Sequence, residues 1–154
     1  MTDLEQSQRA AVVAEARSWI RTPYHERGRI KGAGADCAML PAEVYEAVGL
    51  IPHQDPPYYP PDWHLHRDEE RYLAAVEQYA VQIDGPPLPG DLVMYRFGRA
   101  FAHGAIVTEW PMVVHAIKGL GVTESSGEGP EVALDRSGNP RERRFYRLKI
   151  WSAK

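Results

Sequence analysis

Hydrophobic positions recur with a helical period early in the chain and with a period of two later on. Val12, Val13, Ala16, Trp19 and Ile20 form one apolar stripe and predict a helix from about Leu4 to Ile20. Arg21-Thr22-Pro23-Tyr24 ends it, with Pro23 as the breaker. His25 to Gly34 reads as a basic, glycine-bearing loop that lacks the Gly-Lys-Ser/Thr ending of a phosphate loop. Cys37, Leu40, Val44 and Val48 then recur at spacings of three and four. They predict a second helix, capped by Asp36, closed by Gly49, with Cys37 in its first turn. Pro41 removes only one bond there, because the first N–H groups of a helix are free in any case.

Leu50 to Trp63 is rich in proline and aromatics and reads as an ordered excursion or lid. A helix follows from roughly Asp68 to Tyr79, with Tyr72, Val76 and Tyr79 on one side. Gly85-Pro86-Pro87-Leu88-Pro89-Gly90-Asp91 separates this helical half from a strand-rich half. Strands are predicted at Leu92–Arg96, Phe101–Val107, Met112–Ile117 and Arg144–Trp151, with Gly119 to Gly129 as a loop. Neither half has a separate core, so residues 1–154 read as one domain.

Composition narrows the class. The chain has 154 residues, 44% hydrophobic and 25% charged, enough for one real core. A net charge of -3 implies no nucleic-acid scaffold. A single cysteine excludes an internal disulfide framework and a cysteine-rich metal site. Met1 to Gln6 does not read as a signal peptide, and no apolar run is long enough to span a membrane. Cytoplasmic synthesis without membrane insertion is the expectation. His64 and His66 look like a metal pair but lack a partner at ligand spacing, so capping or surface roles are expected and no metal is assigned.

Three groups carry the candidate chemistry: Cys37, His103 and His115. Free N–H groups at a helix start favour a thiolate, whereas a lone cysteine is often only a small buried hydrophobe. His103 and His115 lie on successive strands that can pair, with side chains on the same face if register permits. If the Cys37 helix packs on that face, a thiol meets two imidazoles: one to take the thiol proton, the other to fix its tautomer and orientation.

These residues sit in five ordered motifs: Trp19-Ile20-Arg21-Thr22-Pro23-Tyr24, Gly34-Ala35-Asp36-Cys37, Pro89-Gly90-Asp91-Leu92-Val93, Ala102-His103-Gly104-Ala105-Ile106-Val107 and Val114-His115-Ala116. In this order they resemble the NlpC/P60 cysteine peptidases, especially short members from tail modules of tailed phages and gene transfer agents. The resemblance implies an α+β, papain-like fold with the nucleophile helix packed on an antiparallel β-sheet. It maps the nucleophile to Cys37, the base to His103, the orienting residue to His115, and a substrate or oxyanion contact to Tyr24. It also makes the Pro-rich and Trp63-His64-Leu65-His66-Arg67 segments look like an insertion of the phage-type members. Ala38-Met39 departs from the small residue and glycine that usually follow the nucleophile in the family.

The expected activity is therefore a thiol protease, a peptidoglycan hydrolase. It would cleave stem-peptide amides through a Cys37 thioester, without metal or organic cofactor, in particle entry or cell-wall remodelling. Tail proteins are the implied partners and a virion or gene transfer agent tail the implied location. The main rival is a structural tail-assembly protein on a weakly active or inactive peptidase fold, favoured by Met39 and Pro41 beside the thiol. A third reading is a thiol amidase or acyltransferase acting on small metabolites.

Overall fold

The first helix, α1 (Asp3–Ser18), starts where Thr2 Oγ1 accepts the Glu5 N–H at 3.0 Å, and it buries Val12 and Ala16 along the predicted stripe. Arg21, at φ +80°, turns the chain out of it. The computed structural model describes residues 1–56 and 70–152. The basic loop contains a small antiparallel pair, β1 (Arg29–Ile30) and β2 (Gly34–Ala35). Two of its cations are tied down: Arg29 bonds Glu43, and Lys31 reaches Glu15 at 2.8 Å.

Helix α2 (Met39–Ala47) follows. Asp36 Oδ1 accepts from the Ala38 and Met39 N–H groups at 3.1 and 2.8 Å. Cys37 thus stands in the entry turn, just ahead of the helix rather than inside its first turn. Pro41 is buried within α2 without breaking it. Leu40 and Val44 are fully buried, a contribution of roughly 1.5–3 kcal/mol each. Gly49, at φ +75°, ends the helix with its N–H on the Glu46 carbonyl.

Helix α3 (Arg71–Val76) lies within the span expected to be helical from Asp68 to Tyr79, and Glu70 is its N-cap. It stops short of Tyr79 because Ala80–Ile83 forms a strand, β3, that the sequence pattern did not reveal. The Trp63-His64-Leu65-His66-Arg67 stretch lies outside the described residues. The other strands are β4 (Leu92–Phe97), β5 (Ala100–Glu109), β6 (Met112–Ile117), β7 (Gly121–Ser126) and β8 (Arg143–Leu148). Two short helices, α4 (Pro130–Ala133) and α5 (Lys149–Ser152), flank β8.

The six-stranded antiparallel sheet has the order β3-β8-β4-β5-β6-β7. Strand β7 corrects the expected loop: Gly121 to Ser126 pairs along the whole of β6. The last strand is also shorter than expected. It ends at Leu148, and Lys149–Ser152 becomes helical so that Trp151 covers the Arg9 guanidinium at 4.2 Å.

Alternation sorts the sheet into two faces. Leu92, Met94, Ala102, Ile106, Val114 and Ala116 join the core formed with α1, α2 and α3. Val93, Tyr95, Ala105, Val107 and Val113 form a second cluster on the other face, closed by Val132 of α4. Fully buried Asp91 pins the start of β4. It accepts from Arg9 at 3.0 Å, from Arg147 at 2.8 Å and from the Leu88 N–H at 2.8 Å.

Candidate functional site

On β5 and β6, period-two alternation puts His103 with Ala105 and Val107, and His115 with Val113. Both imidazoles therefore occupy the face opposite the one on which α2 packs. Ala102, which does face α2, presents its backbone carbonyl to the cysteine: the Cys37 thiol donates to Ala102 O at 3.2 Å. Tyr72 of α3 donates to the Cys37 carbonyl at 2.8 Å. Gly104 makes that approach possible, because a Cβ there would collide with the Tyr72 hydroxyl.

Cys37, Tyr24 and His103 still open onto one cleft of about 760 Å³. Its walls carry both signs of charge, including Lys118 and Arg136 against Glu26 and Glu131. Phe97 stacks on His103 with ring centroids 5.2 Å apart, and Arg141 lies 3.7 Å from the Phe97 centroid.

The hydrogen bonds define the chemical state of these groups. His103 Nε2 lies 2.9 Å from His115 Nδ1, and His115 Nε2 lies 2.8 Å from Ser125 Oγ. Either of two neutral tautomer patterns satisfies this line. Burial pushes His103 well below the ordinary histidine range, helped by its neighbours His115 and Arg141. Burial brings His115 down to about 4, partly opposed by Glu131. Ser125 was missed in the sequence because Gly119 to Gly129 read as a loop; the alternation of Val122 and Thr123 was the available signal.

The thiol is held in its protonated form. Desolvation raises Cys37 first and the Asp36 carboxylate adds to this, while its own backbone N–H and then a hydrogen bond from Tyr24 oppose it. Burial, then the neighbouring Cys37, raises the Tyr24 phenol as well. The expected thiolate-promoting helix start is outweighed: Asp36 occupies the Ala38 and Met39 N–H groups, and burial exceeds the help of the Cys37 N–H. A thiolate here would have no proton to donate and would face the Ala102 carbonyl oxygen and a carboxylate.

These findings correct the peptidase expectation. Among the described residues Cys37 makes no hydrogen bond to a histidine. Among the described residues the one group of three or more histidine, cysteine, aspartate or glutamate side chains with mutually close ligand atoms is Glu43, Glu46 and His53, which contains no cysteine. No Cys-His-His triad is assembled from Cys37, His103 and His115. The assignments as cysteine peptidase, thiol protease and peptidoglycan amide hydrolase are accordingly overturned, and with them the Cys37 thioester route. The physical reason is facial: the histidines bond to each other on one side of the sheet while the sulfur bonds to backbone from the other.

Elsewhere, His25 Nδ1 bonds the Glu26 carbonyl oxygen, His53 pairs with Glu46, and His64 and His66 lie outside the described residues. Arg143 and Arg144 lie over Phe145 and Phe101, so the basic flank of the last strand is stacked on aromatics. No described helix is long and apolar enough to cross a membrane.

No protein-family model and no curated protein matches the chain. Its fold is similar to that of solved structures. One is the NlpC/p60 domain of the peptidoglycan hydrolase SagA, at 22% identity and TM-score 0.57, covering 88% of this chain and 96% of that one. A second is a protein similar to a lipoprotein of the NLP/P60 family from Staphylococcus aureus, at 18% identity and TM-score 0.57, covering 94% of this chain and 42% of that one. A third is a hypothetical invasion protein of Mycobacterium tuberculosis, at 18% identity and TM-score 0.51, covering 92% of this chain and 64% of that one. These likenesses support an α+β fold of the NlpC/P60 kind, with a helix packed against a multi-stranded antiparallel sheet. At these identities they carry the fold and no activity.

Proposed function

We propose that this chain is a structural tail-assembly protein, built on an NlpC/P60-like fold whose cleft is weakly active or inactive. The observation that carries the reading is the bonding of the sulfur. A thiol that donates its hydrogen bond to the Ala102 carbonyl, while the imidazole on the same cleft is engaged with a second imidazole, lacks the ion pair on which thiol catalysis depends. The tail setting rests on the sequence resemblance to short members of the family in tail modules. The mixed-charge cleft, with Lys118 and Arg136 facing Glu26 and Glu131, suits a polypeptide segment of a neighbouring tail protein.

The test uses cells that make the particle. Deleting the chain is expected to stop particle assembly, whereas Cys37→Ala leaves assembly and particle function at the wild-type level. Purified wild-type chain is expected to release little or no new amine from cell-wall peptide fragments. Amine release at an enzyme's ordinary turnover that disappears in Cys37→Ala, or normal particles after deletion, would overturn the proposal.

A further inference from the structure

Helix α2 carries two carboxylates three residues apart, Glu43 and Glu46, on one face. Gly49 reverses the chain after the helix, and the following segment brings His53 back against them. One ligand atom from each of the three lies within 4.8 Å of the others. His53 Nδ1 is already 2.9 Å from Glu46 Oε1. Arg29 gives two hydrogen bonds, at 2.9 and 2.6 Å, to a single oxygen of Glu43, Oε2. That leaves Oε1 for another partner and fixes the plane of the carboxylate, as an outer-shell residue does for a metal ligand. The imidazole is 60% exposed, so a hydrated ion can reach it from solvent.

We infer that Glu43, Glu46 and His53 form a binding site for a zinc-like divalent cation. One nitrogen and two carboxylate oxygens suit zinc, which takes three protein ligands and completes a tetrahedron with water. Calcium and magnesium prefer more oxygens, or their own water, and gain little from an imidazole. The nearby Arg29 charge opposes a second cation and weakens its binding. A bound ion ties the segment around His53 to the second turn of α2 and raises the melting temperature by mass action. The site is separate from the cleft of Cys37 and His103 and does not depend on the reading of that cleft.

The experiment is calorimetric titration of the full chain with zinc alone, paired with melting curves. One zinc per chain and a rise in melting temperature are expected. His53→Ala and Glu46→Gln each weaken binding at least about tenfold, while the double variant His64→Ala/His66→Ala and the single variant Cys37→Ala bind as wild type does. Magnesium and calcium are expected to produce no saturable heat at millimolar concentration. Absence of zinc binding, binding retained in His53→Ala, loss of binding in Cys37→Ala or in the His64/His66 variant, or equal binding of calcium would each overturn the assignment.

Discussion

His103 Nε2 and His115 Nδ1 are 2.9 Å apart, so the two histidines most open to a catalytic reading are each other's partners inside the protein. The line continues to Ser125, and both rings are buried. Neither can gain a proton without placing a charge where water is scarce and a second imidazole is close. This pairing is a structural strut between β5, β6 and β7 as well as one wall of the cleft.

Acid should therefore destabilise the fold through this pair. Both histidines have folded values below the unfolded one, so the unfolded chain binds more protons and stability rises with pH. For His115 the contribution is fully present above about 6.5 and is lost as pH falls toward about 4. That interval is worth about 3 kcal/mol. Urea melts at pH 7 and pH 4.5 should show a steeper loss for wild type than for His115→Asn, which cannot titrate. Equal slopes for the two proteins would show that the pair does not sense pH.

The Cys37 thiol should react slowly. Burial and the Asp36 carboxylate both favour the protonated form, and only the thiolate is a good nucleophile. Alkylation by iodoacetamide at pH 7.5 is expected to run at least about tenfold slower than with an unstructured cysteine peptide. A rate at or above that of the peptide would mean that the sulfur is activated after all.

Asp91 should be among the costliest single positions outside the apolar core. It is fully buried and faces two guanidiniums and one backbone N–H. Asp91→Ala takes from Arg147 its bonds to the carboxylate and leaves Arg9 with only Glu5 and the Pro89 carbonyl as hydrogen-bond partners, and a loss of about 3–5 kcal/mol is expected. Asp91→Asn should lose less, because one oxygen still accepts. Chemical denaturation measures both, and a loss under about 1 kcal/mol in Asp91→Ala would refute the role of the network.

Gly104→Ala tests how α3 holds the Cys37 turn. The added methyl would meet the Tyr72 hydroxyl, which bonds the Cys37 carbonyl at 2.8 Å. A loss of about 1–3 kcal/mol is expected from the displacement. Tyr72→Phe in the Gly104→Ala background should recover part of it by removing the colliding oxygen. No recovery would place the strain elsewhere.

Much of the scaffold was readable from spacing alone. The stripe from Val12 to Ile20, the run from Cys37 to Val48, the cap at Asp36 and the stop at Gly49 are local properties, set by side-chain period and backbone permission within a few residues. The alternation in Leu92–Arg96, Phe101–Val107 and Met112–Ile117 likewise fixed three strands. Strands β3 and β7 were not readable, because short polar or glycine-bearing segments become strands only when a neighbour offers its free N–H and C=O groups.

The same division runs through the site. The sequence determined that a cysteine follows a capping aspartate and that two histidines lie on adjacent strands. Only tertiary structure decided which face of the sheet those histidines occupy relative to α2, and a shift of one residue in register reverses that. It also decided that the Asp36 carboxylate takes the Ala38 and Met39 N–H groups, and that the nearest acceptor for the sulfur is the Ala102 carbonyl. Local pattern names the residues that can carry chemistry. Their protonation and partners follow from burial and from contacts distant in sequence, which no spacing along the chain encodes.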